Sequence, residues 1–190
     1  MADRLVYQLK VTLLDTIPPI WRRIQVRSDI NLRRFNKVLQ IAMGWMESHL
    51  YEFRVRKNIF GPILSGNMDD LYPVRSDVPV KLSGVLPKKG ASLIYTYDMG
   101  DGWRHQVRLE KILKPASKTQ YPCCLDGARA CPPEDCGGTG GYEDLLAILK
   151  NPRHPEHKEM KEWLDGRWYK NFDSEAFDLA VVNKELKAIR

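Results

Sequence analysis

Four cysteines stand within one 14-residue window of this 190-residue chain, at Cys123, Cys124, Cys131 and Cys136. Cysteine thiolates bind zinc tightly, and structural zinc sites take four Cys or His ligands in a tetrahedron. The spacing Cys124-x6-Cys131-x4-Cys136 offers three sulfurs on one loop, although it lacks the Cys-x2-Cys pair of common zinc sites. Zinc is therefore the cofactor that this segment suggests, with a fourth ligand supplied by Cys123, His154 or His157.

The same segment has a second interpretation, in which its cysteines are small buried residues that hold a rigid loop in place. Pro132 and Pro133 stiffen the backbone, and the run GGTGG over 137–141 supplies residues that adopt positive φ freely. We favour this interpretation over a metal site. Glu134 and Asp135 would either cap the following helix or hold a hard cation. The run lacks a GxxxxGK[ST] signature, which argues against a phosphate-binding loop.

A catalytic cysteine would need a base, and His105 or His154 could serve. No nucleophile signature surrounds the cysteines, so an enzyme with its site around the CPPEDC segment is the least favoured alternative. The hairpin sequence YTYDMGDGWRHQV places Asp98 at a turn, where Asp and Gly serve the turn geometry. His105 is expected to be half-buried and hydrogen-bonded, and His49 has no predicted role.

The basic residues are concentrated in the N-terminal part of the chain. The net charge is +6, and residues 1–60 hold 11 Lys and Arg against 5 Asp and Glu, whereas residues 61–190 hold 19 of each. Nucleic-acid binders place such basic patches against phosphates. A solvated basic surface without a partner is the simpler alternative. The residues that would form an N-terminal basic face are Arg22, Arg23, Arg33, Arg34 and Lys37.

Hydrophobic periodicity indicates which elements must position these residues. Alternating apolar and polar residues predict five strands, over 5–14, 20–26, 49–55, 91–97 and 103–113. Asn31 or Ser28 would cap a helix that runs to Met43 and ends at Gly44. We interpret 57–79 as irregular and 80–86 as a short helical turn. Three further helices are predicted, over 142–150, 155–164 and 174–189.

This order predicts an α+β fold, with a mainly antiparallel sheet of about five strands, a helix after the second strand and three C-terminal helices packed on it. We expect one domain over 1–190, strand-rich over 1–113, with the cysteine-, proline- and glycine-rich loop over 114–141 and a helical part over 142–190. A hydrophobic fraction of 43% and a charged fraction of 28% exclude disordered and fibrous classes.

Nothing in the sequence predicts a membrane partner. No apolar run approaches the roughly 18 residues of a spanning helix. The N-terminus MADRLVYQLKV has no signal-peptide core. We therefore expect a cytoplasmic protein.

Several segments together resemble the plasmid pRiA4b ORF-3-like family of bacterial and archaeal proteins, some of them associated with mobile elements. The segments are YQLKVTLLDTIPPIWRRIQV, GWMESHLYEF, YTYDMGDGWRH, CLDGARACPPEDCGGTGGY, NPRHPEHKEMKEWL and FDSEAFDLAVVN, which span nearly the whole chain. The resemblance implies a single α+β domain. It implies no catalytic residues, and its link to mobile elements favours nucleic acid only by association.

Three functions stay open at this point. The favoured hypothesis is a non-enzymatic binding or interaction domain, with another protein as a candidate partner, whose rigid cysteine loop is either purely structural or clipped by a metal. The first alternative is a nucleic-acid-binding protein that uses the N-terminal basic face. The second is an enzyme with its site around the CPPEDC segment.

Overall fold

The computed structural model describes residues 5–63, 73–167 and 169–189, and these residues form eight strands and five helices. The strands are β1 (Val6–Leu13), β2 (Trp21–Arg27), β3 (Tyr51–Val55), β4 (Asn58–Gly61), β5 (Val74–Ser76), β6 (Ser92–Tyr97), β7 (Trp103–Leu113) and β8 (Cys123–Ala128). The helices are α1 (Leu32–Met43), α2 (Leu82–Val85), α3 (Gly138–Lys150), α4 (His157–Gly166) and α5 (Leu179–Leu186). No helix within the described ranges is long and apolar enough to cross a membrane.

One mixed sheet contains all eight of these strands, in the order β5-β4-β3-β6-β7-β1-β2-β8. The pairs are antiparallel except β4 and β5, which are parallel. The α+β class and a mainly antiparallel sheet are confirmed, and the predicted number of about five strands is too low. The additional strands β4 and β5 have four and three residues, too few to show a period, and lie in the stretch 57–79 predicted to be irregular. Residues 64–72 of that stretch lie outside the described part of the chain.

Strand β8 lies inside the stretch 114–141 that was predicted to be a loop. Its sequence CCLDGA carries no apolar alternation, and its residues become a strand because β2 offers an edge to pair with. The pairing brings Ile24 opposite Cys124 and Arg22 opposite Gly127. The cysteine segment therefore begins as part of the sheet rather than as a free loop.

Helix α1 follows the sequence prediction closely. Asn31 is its N-cap, and the Asn31 side chain accepts a hydrogen bond from the Arg34 backbone N–H at 2.8 Å. Gly44 ends it with a φ of 104°, a conformation that glycine adopts without steric cost. The predicted apolar stripe is buried against the sheet, and it consists of Leu32, Phe35, Val38, Leu39 and Ala42.

Alternation along β1 and β2 sorts their side chains onto two faces of the sheet. Val11 and Ile24 are fully buried in the core beneath α1, whereas Lys10 and Arg23 lie on the opposite face and are only partly buried. Lys10 stands directly opposite Arg23 in the strand pairing. One face of the sheet is therefore apolar and covered by helices, and the other carries charged side chains.

A register shift interrupts the pairing of β1 with β7. Gln8 pairs with Lys111 and Leu9 pairs with Leu109, so Glu110 has no opposite residue on β1. Such a β-bulge inserts one residue into one strand and changes the phase of the side chains beyond it. Arg108 and Lys111, which an uninterrupted strand would send to opposite faces, line the same surface groove.

The C-terminal helices differ from their predicted boundaries. Helix α3 begins at Gly138 rather than Tyr142, so most of the glycine run forms its first turn. A Cβ atom on Gly138 would lie 2.5 Å from the Asp101 carbonyl oxygen, which explains why a glycine occupies the contact between α3 and the β6–β7 hairpin. Helix α4 begins two residues after Pro155, and α5 occupies only part of the predicted range 174–189.

Candidate metal centre

The four cysteines do not assemble the predicted zinc site. Cys124 contacts the backbone carbonyls of Arg23 and Asp126 at 3.5 and 3.4 Å through its sulfur. Burial raises the pKa of the Cys131 thiol, and it raises the pKa of the Cys136 thiol to about 12. Within residues 5–63, 73–167 and 169–189, the one group of three or more His, Cys, Asp or Glu donors that converges includes no cysteine. Cys123 and Cys124 are held in the sheet by β8, whereas Cys131 and Cys136 lie in the segment before α3.

The two histidines proposed as fourth ligands serve local structure instead. His154 accepts a hydrogen bond from the Glu156 backbone N–H through Nδ1, at 3.2 Å. The Nδ1 atom of His157 lies 3.0 Å from the Ile148 carbonyl oxygen. Both contacts secure the connection between α3 and α4, and neither histidine belongs to the converging donor group of the described residues.

The converging group consists of His49, Asp98 and Asp135, which come from three distant parts of the sequence. His49 Nε2 lies 3.0 Å from Asp135 Oδ1 and 3.7 Å from Asp98 Oδ2. One donor atom from each of the three residues lies within 4.8 Å of the other two. Asp98 is largely buried, and His49 and Asp135 are partly exposed, so the group opens to solvent on one side.

The turn at the tip of the β6–β7 hairpin orients Asp98. Asp98 adopts a φ of 57°, and its Oδ1 accepts hydrogen bonds from the backbone N–H groups of Gly100 and Asp101 at 2.8 and 3.3 Å. This is the turn geometry expected from the sequence. It occupies Oδ1 and leaves Oδ2 directed towards His49.

The loop before α3 orients Asp135. Its φ is 59°, and its Oδ2 accepts a hydrogen bond from Arg167 at the end of α4. Its Oδ1 faces His49. Both carboxylates therefore have the same arrangement, in which the protein holds one oxygen and the second oxygen is presented to the imidazole.

A buried hydrogen-bond network holds His49 in place. The Tyr97 hydroxyl accepts hydrogen bonds from the backbone N–H groups of Ser48 and His49 at 3.0 and 3.3 Å. It donates in turn to Glu134 Oε1 at 2.6 Å. Burial and the bond to Glu134 raise the pKa of Tyr97, so the hydroxyl keeps its proton. The ring of Tyr97 also packs edge-on against the His49 ring.

Glu134 and Asp135 are neighbours in sequence but have different roles. Glu134 is buried, and its Oε1 also accepts a hydrogen bond from the Met46 backbone N–H at 3.1 Å. Its own backbone N–H donates to the Tyr169 hydroxyl at 3.0 Å. Glu134 therefore ties the loop to the segment that carries His49, and Asp135 alone faces the cluster. Neither side chain caps α3, whose N-cap is Gly137 and has no side-chain hydrogen bond.

His105, a base considered for catalysis, is fully buried rather than half-buried. Its Nδ1 lies 3.3 Å from the Tyr95 carbonyl oxygen. Burial lowers the pKa of His105 to about 4, so the ring is neutral at ordinary pH. Trp45 packs between this ring and Tyr97, with its indole N–H donating to the Pro132 carbonyl oxygen at 3.1 Å.

The five residues of the predicted basic face are divided among different environments. Arg22 is buried, and its guanidinium donates to the carbonyls of Ala42, Trp21 and Ala128. Arg23, the next residue on β2, lies on the opposite sheet face and pairs with Glu110 at 2.8 Å. The remaining three lie on α1, where Arg33 pairs with Asp77 at 2.9 Å and Arg34 and Lys37 are exposed. These residues do not form one continuous face, because strand alternation separates Arg22 from Arg23.

Sequence reasoning missed His49, although a signal was present. His49 lies in GWMESHLYEF, Asp98 in YTYDMGDGWRH and Asp135 in the CPPEDCGG segment, three of the segments that carry the family resemblance. Each segment holds one donor residue, and the strand order places β3 beside β6, with Leu50 accepting the Asp98 backbone N–H at 2.9 Å. Taking the motifs together rather than singly would have identified the group.

Comparison with known proteins places the chain among similar sequences and structures. The family model described as plasmid pRiA4b ORF-3-like protein matches residues 5–181. An uncharacterised protein of Sinorhizobium fredii, y4hQ, is 40% identical over 179 residues, which cover 94% of this chain and 89% of that protein. The crystal structure of MM3350 from Methanosarcina mazei Go1, a protein of unknown function, matches with a TM-score of 0.80 and 38% identity, over 93% of this chain and 96% of that one.

Proposed function

The chain belongs to the plasmid pRiA4b ORF-3-like family, and we propose that it binds a divalent transition-metal ion through His49, Asp98 and Asp135. One observation carries the proposal. Each carboxylate has one oxygen held by a protein donor while the other faces His49 Nε2. Outer hydrogen bonds of this kind are how proteins orient metal-ligating carboxylates.

The donor set indicates the class of metal. One imidazole nitrogen and two carboxylate oxygens suit Zn²⁺ or Mn²⁺ better than Mg²⁺ or Ca²⁺, which prefer oxygen donors alone. Three protein ligands leave at least one coordination position for water or another oxygen donor. That position would lie on the open side of the group, next to the partly exposed His49 and Asp135.

A metal at this position would clip the loop before α3 to the rest of the protein. It would join Asp135 of that loop to Asp98 of the β6–β7 hairpin and to His49 before β3. The favoured sequence hypothesis, a binding domain with a metal-clipped loop, is kept in this form. The ligands differ, because the loop contributes Asp135 rather than its cysteines.

Titration of metal-free protein with Zn²⁺ and Mn²⁺, followed by calorimetry, tests the proposal. We expect one equivalent to bind, and the Asp98→Asn and His49→Gln variants to bind at least 100-fold more weakly. Arg167→Gln, which releases one Asp135 oxygen, should weaken binding about 10-fold, as losses of orienting partners do. Mg²⁺ should bind far more weakly than either metal.

Cys136→Ser is the matched control, since Cys136 lies in the same loop segment and is absent from the donor group. Its affinity should equal that of the unmodified chain. A loss of zinc in Cys136→Ser, with Asp98→Asn unaffected, would restore the thiolate site and reject this one. Binding well below one equivalent for both metals would reject any metal function at this group.

A further inference from the structure

A second surface, independent of the metal centre, lies on the helix-free face of the sheet. A groove of about 740 Å³ runs over this face. Its lining holds five cationic side chains and one carboxylate, which are Lys10, Arg23, Lys89, Arg108, Lys111 and Glu110. We infer that this groove binds single-stranded nucleic acid through its phosphates.

Strand pairing places three of these cations in one row. Lys10 on β1 is directly opposite Arg23 on β2 and directly opposite Arg108 on β7. Side chains that are directly opposite one another across neighbouring strands lie about 5 Å apart, and like charges in such positions destabilise a sheet. The row therefore works against the stability of the fold unless an anion compensates its charge.

Two members of the row interact with a carboxylate of the protein, since Glu110 forms an ion pair with Arg23 and also interacts electrostatically with Lys10. Arg23 pairs with Glu110 at 2.8 Å and with Asp126 at 3.7 Å. In the part of the chain that the structure describes, no carboxylate forms an ion pair with Lys10, Arg108, Lys89 or Lys111. Lys89, Arg108 and Lys111 thus remain for an external anion, together with Lys10, which interacts with Glu110 without forming an ion pair.

The register shift in β7 adds to this concentration of charge. It brings Lys111 opposite Gln8 and into the groove with Arg108. Lys89, from the turn before β6, is the fifth cation of the lining. The sequence hides this surface, because the segment 61–190 that supplies Lys89, Arg108 and Lys111 has no net charge.

An aromatic side chain next to the cations favours a single strand as the occupant. Trp21 on β2 is partly exposed, and the Lys10 ammonium and the Arg23 guanidinium lie 5.1 and 5.2 Å from its ring centroid. Proteins hold single strands without sequence preference by stacking bases on aromatic rings beside a basic groove. The bases of a duplex are stacked on each other and cannot use such a ring.

Fluorescence anisotropy with a labelled oligodeoxythymidine tests the inference. We expect micromolar affinity at low salt, with about a 50-fold loss between 50 and 200 mM salt if four cations contact phosphates. The double variant Lys10→Gln/Arg108→Gln should bind more weakly and lose only about 7-fold over the same range, because two contacts are removed. Trp21→Leu should weaken binding about 10-fold while keeping the salt dependence.

Arg34→Gln/Lys37→Gln is the matched control, because it removes two exposed cations from α1, on the other side of the sheet. Equal losses in the two double variants would overturn the assignment to this groove. Tighter binding of duplex DNA, or equal binding of polyglutamate, would overturn the choice of a single strand.

Lys10→Gln/Arg108→Gln should also unfold at a higher temperature than the unmodified chain, and a lower temperature would refute the repulsion within the row. Lys89→Gln/Lys111→Gln removes two exposed cations of the groove lining, and oligodeoxythymidine binding by this variant should also lose only about 7-fold between 50 and 200 mM salt.

Discussion

Replacing Gly138 with Ala tests how closely α3 packs on the β6–β7 hairpin. The new Cβ would lie 2.5 Å from the Asp101 carbonyl oxygen, a distance at which the backbone must move. Gly138 also has a φ of 68°, in the region where an L side chain is strained. The left-handed conformation costs about 1–2 kcal/mol, and relief of the overpacked contact costs about 1–3 kcal/mol. We therefore expect a loss of about 2–5 kcal/mol in the free energy of unfolding.

Gly140→Ala is the control within the same helical turn. A Cβ on Gly140 has no neighbour within 4 Å, and Gly140 has no positive φ. Alanine is favoured over glycine in a helix by about 1 kcal/mol, so this variant should be more stable than the unmodified chain. The two Gly→Ala changes, two residues apart, should therefore have opposite signs.

Urea unfolding followed by circular dichroism measures both changes. With a urea dependence of about 2 kcal/mol per M, Gly138→Ala should lower the midpoint by about 1–2.5 M. Metal affinity of Gly138→Ala should fall as well, since the displaced hairpin carries Asp98. Unchanged stability of Gly138→Ala, or the same sign for both variants, would refute the close contact between α3 and the hairpin.

Two further predictions concern buried titratable groups. The pKa of His105 is about 4 in the folded chain and about 6.5 in the unfolded chain, so on acidification the unfolded state binds the proton first. The free energy of unfolding should therefore fall as the pH drops from about 6.5 to about 4, by at most about 3 kcal/mol. The urea midpoint should depend less on pH across this range in His105→Phe than in the unmodified chain. The same pH dependence in both proteins would contradict the burial of a neutral ring. Because burial raises the pKa values of Cys123, Cys124, Cys131 and Cys136, the native protein at pH 8 should react with a thiol reagent far more slowly than free cysteine. One thiol that reacts as fast as free cysteine while the protein stays folded would instead support a nucleophile in the cysteine segment.

The sequence predicted those elements whose local signals agree with their surroundings. Helix α1 has an Asn cap, an apolar stripe and a terminal glycine, and all three act as expected. The Asp-Gly hairpin between β6 and β7 is likewise a local signal. Strand β8 could not be predicted, because CCLDGA is a strand only through its pairing with β2.

The candidate site was partly predictable for the same reason. Glu134 and Asp135 were predicted either to cap the following helix or to hold a hard cation, and Asp98 was recognised as a turn residue. Their convergence with His49 depends on contacts between segments that are far apart in sequence, such as the hydrogen bond from Tyr97 to Glu134. The cysteines attracted attention by type and spacing, but the converging donor group of the described residues contains none of them.

Glu110 has no opposite residue on β1, so the charge of one sheet face depends on the number of residues in β7 as well as on their identity. Deleting Glu110 would remove the carboxylate that lines the groove and pairs with Arg23, yet it would leave Lys111 opposite Gln8 on the groove face, because the bulge would disappear together with its extra residue. A further residue inserted at this position without a second bulge would instead turn Lys111 towards the helices, so a deletion and an insertion would change the charge of this sheet face in opposite directions. For this fold, an alignment gap between Arg108 and Lys111 would be a stronger sign of altered ligand preference than several substitutions elsewhere on the sheet.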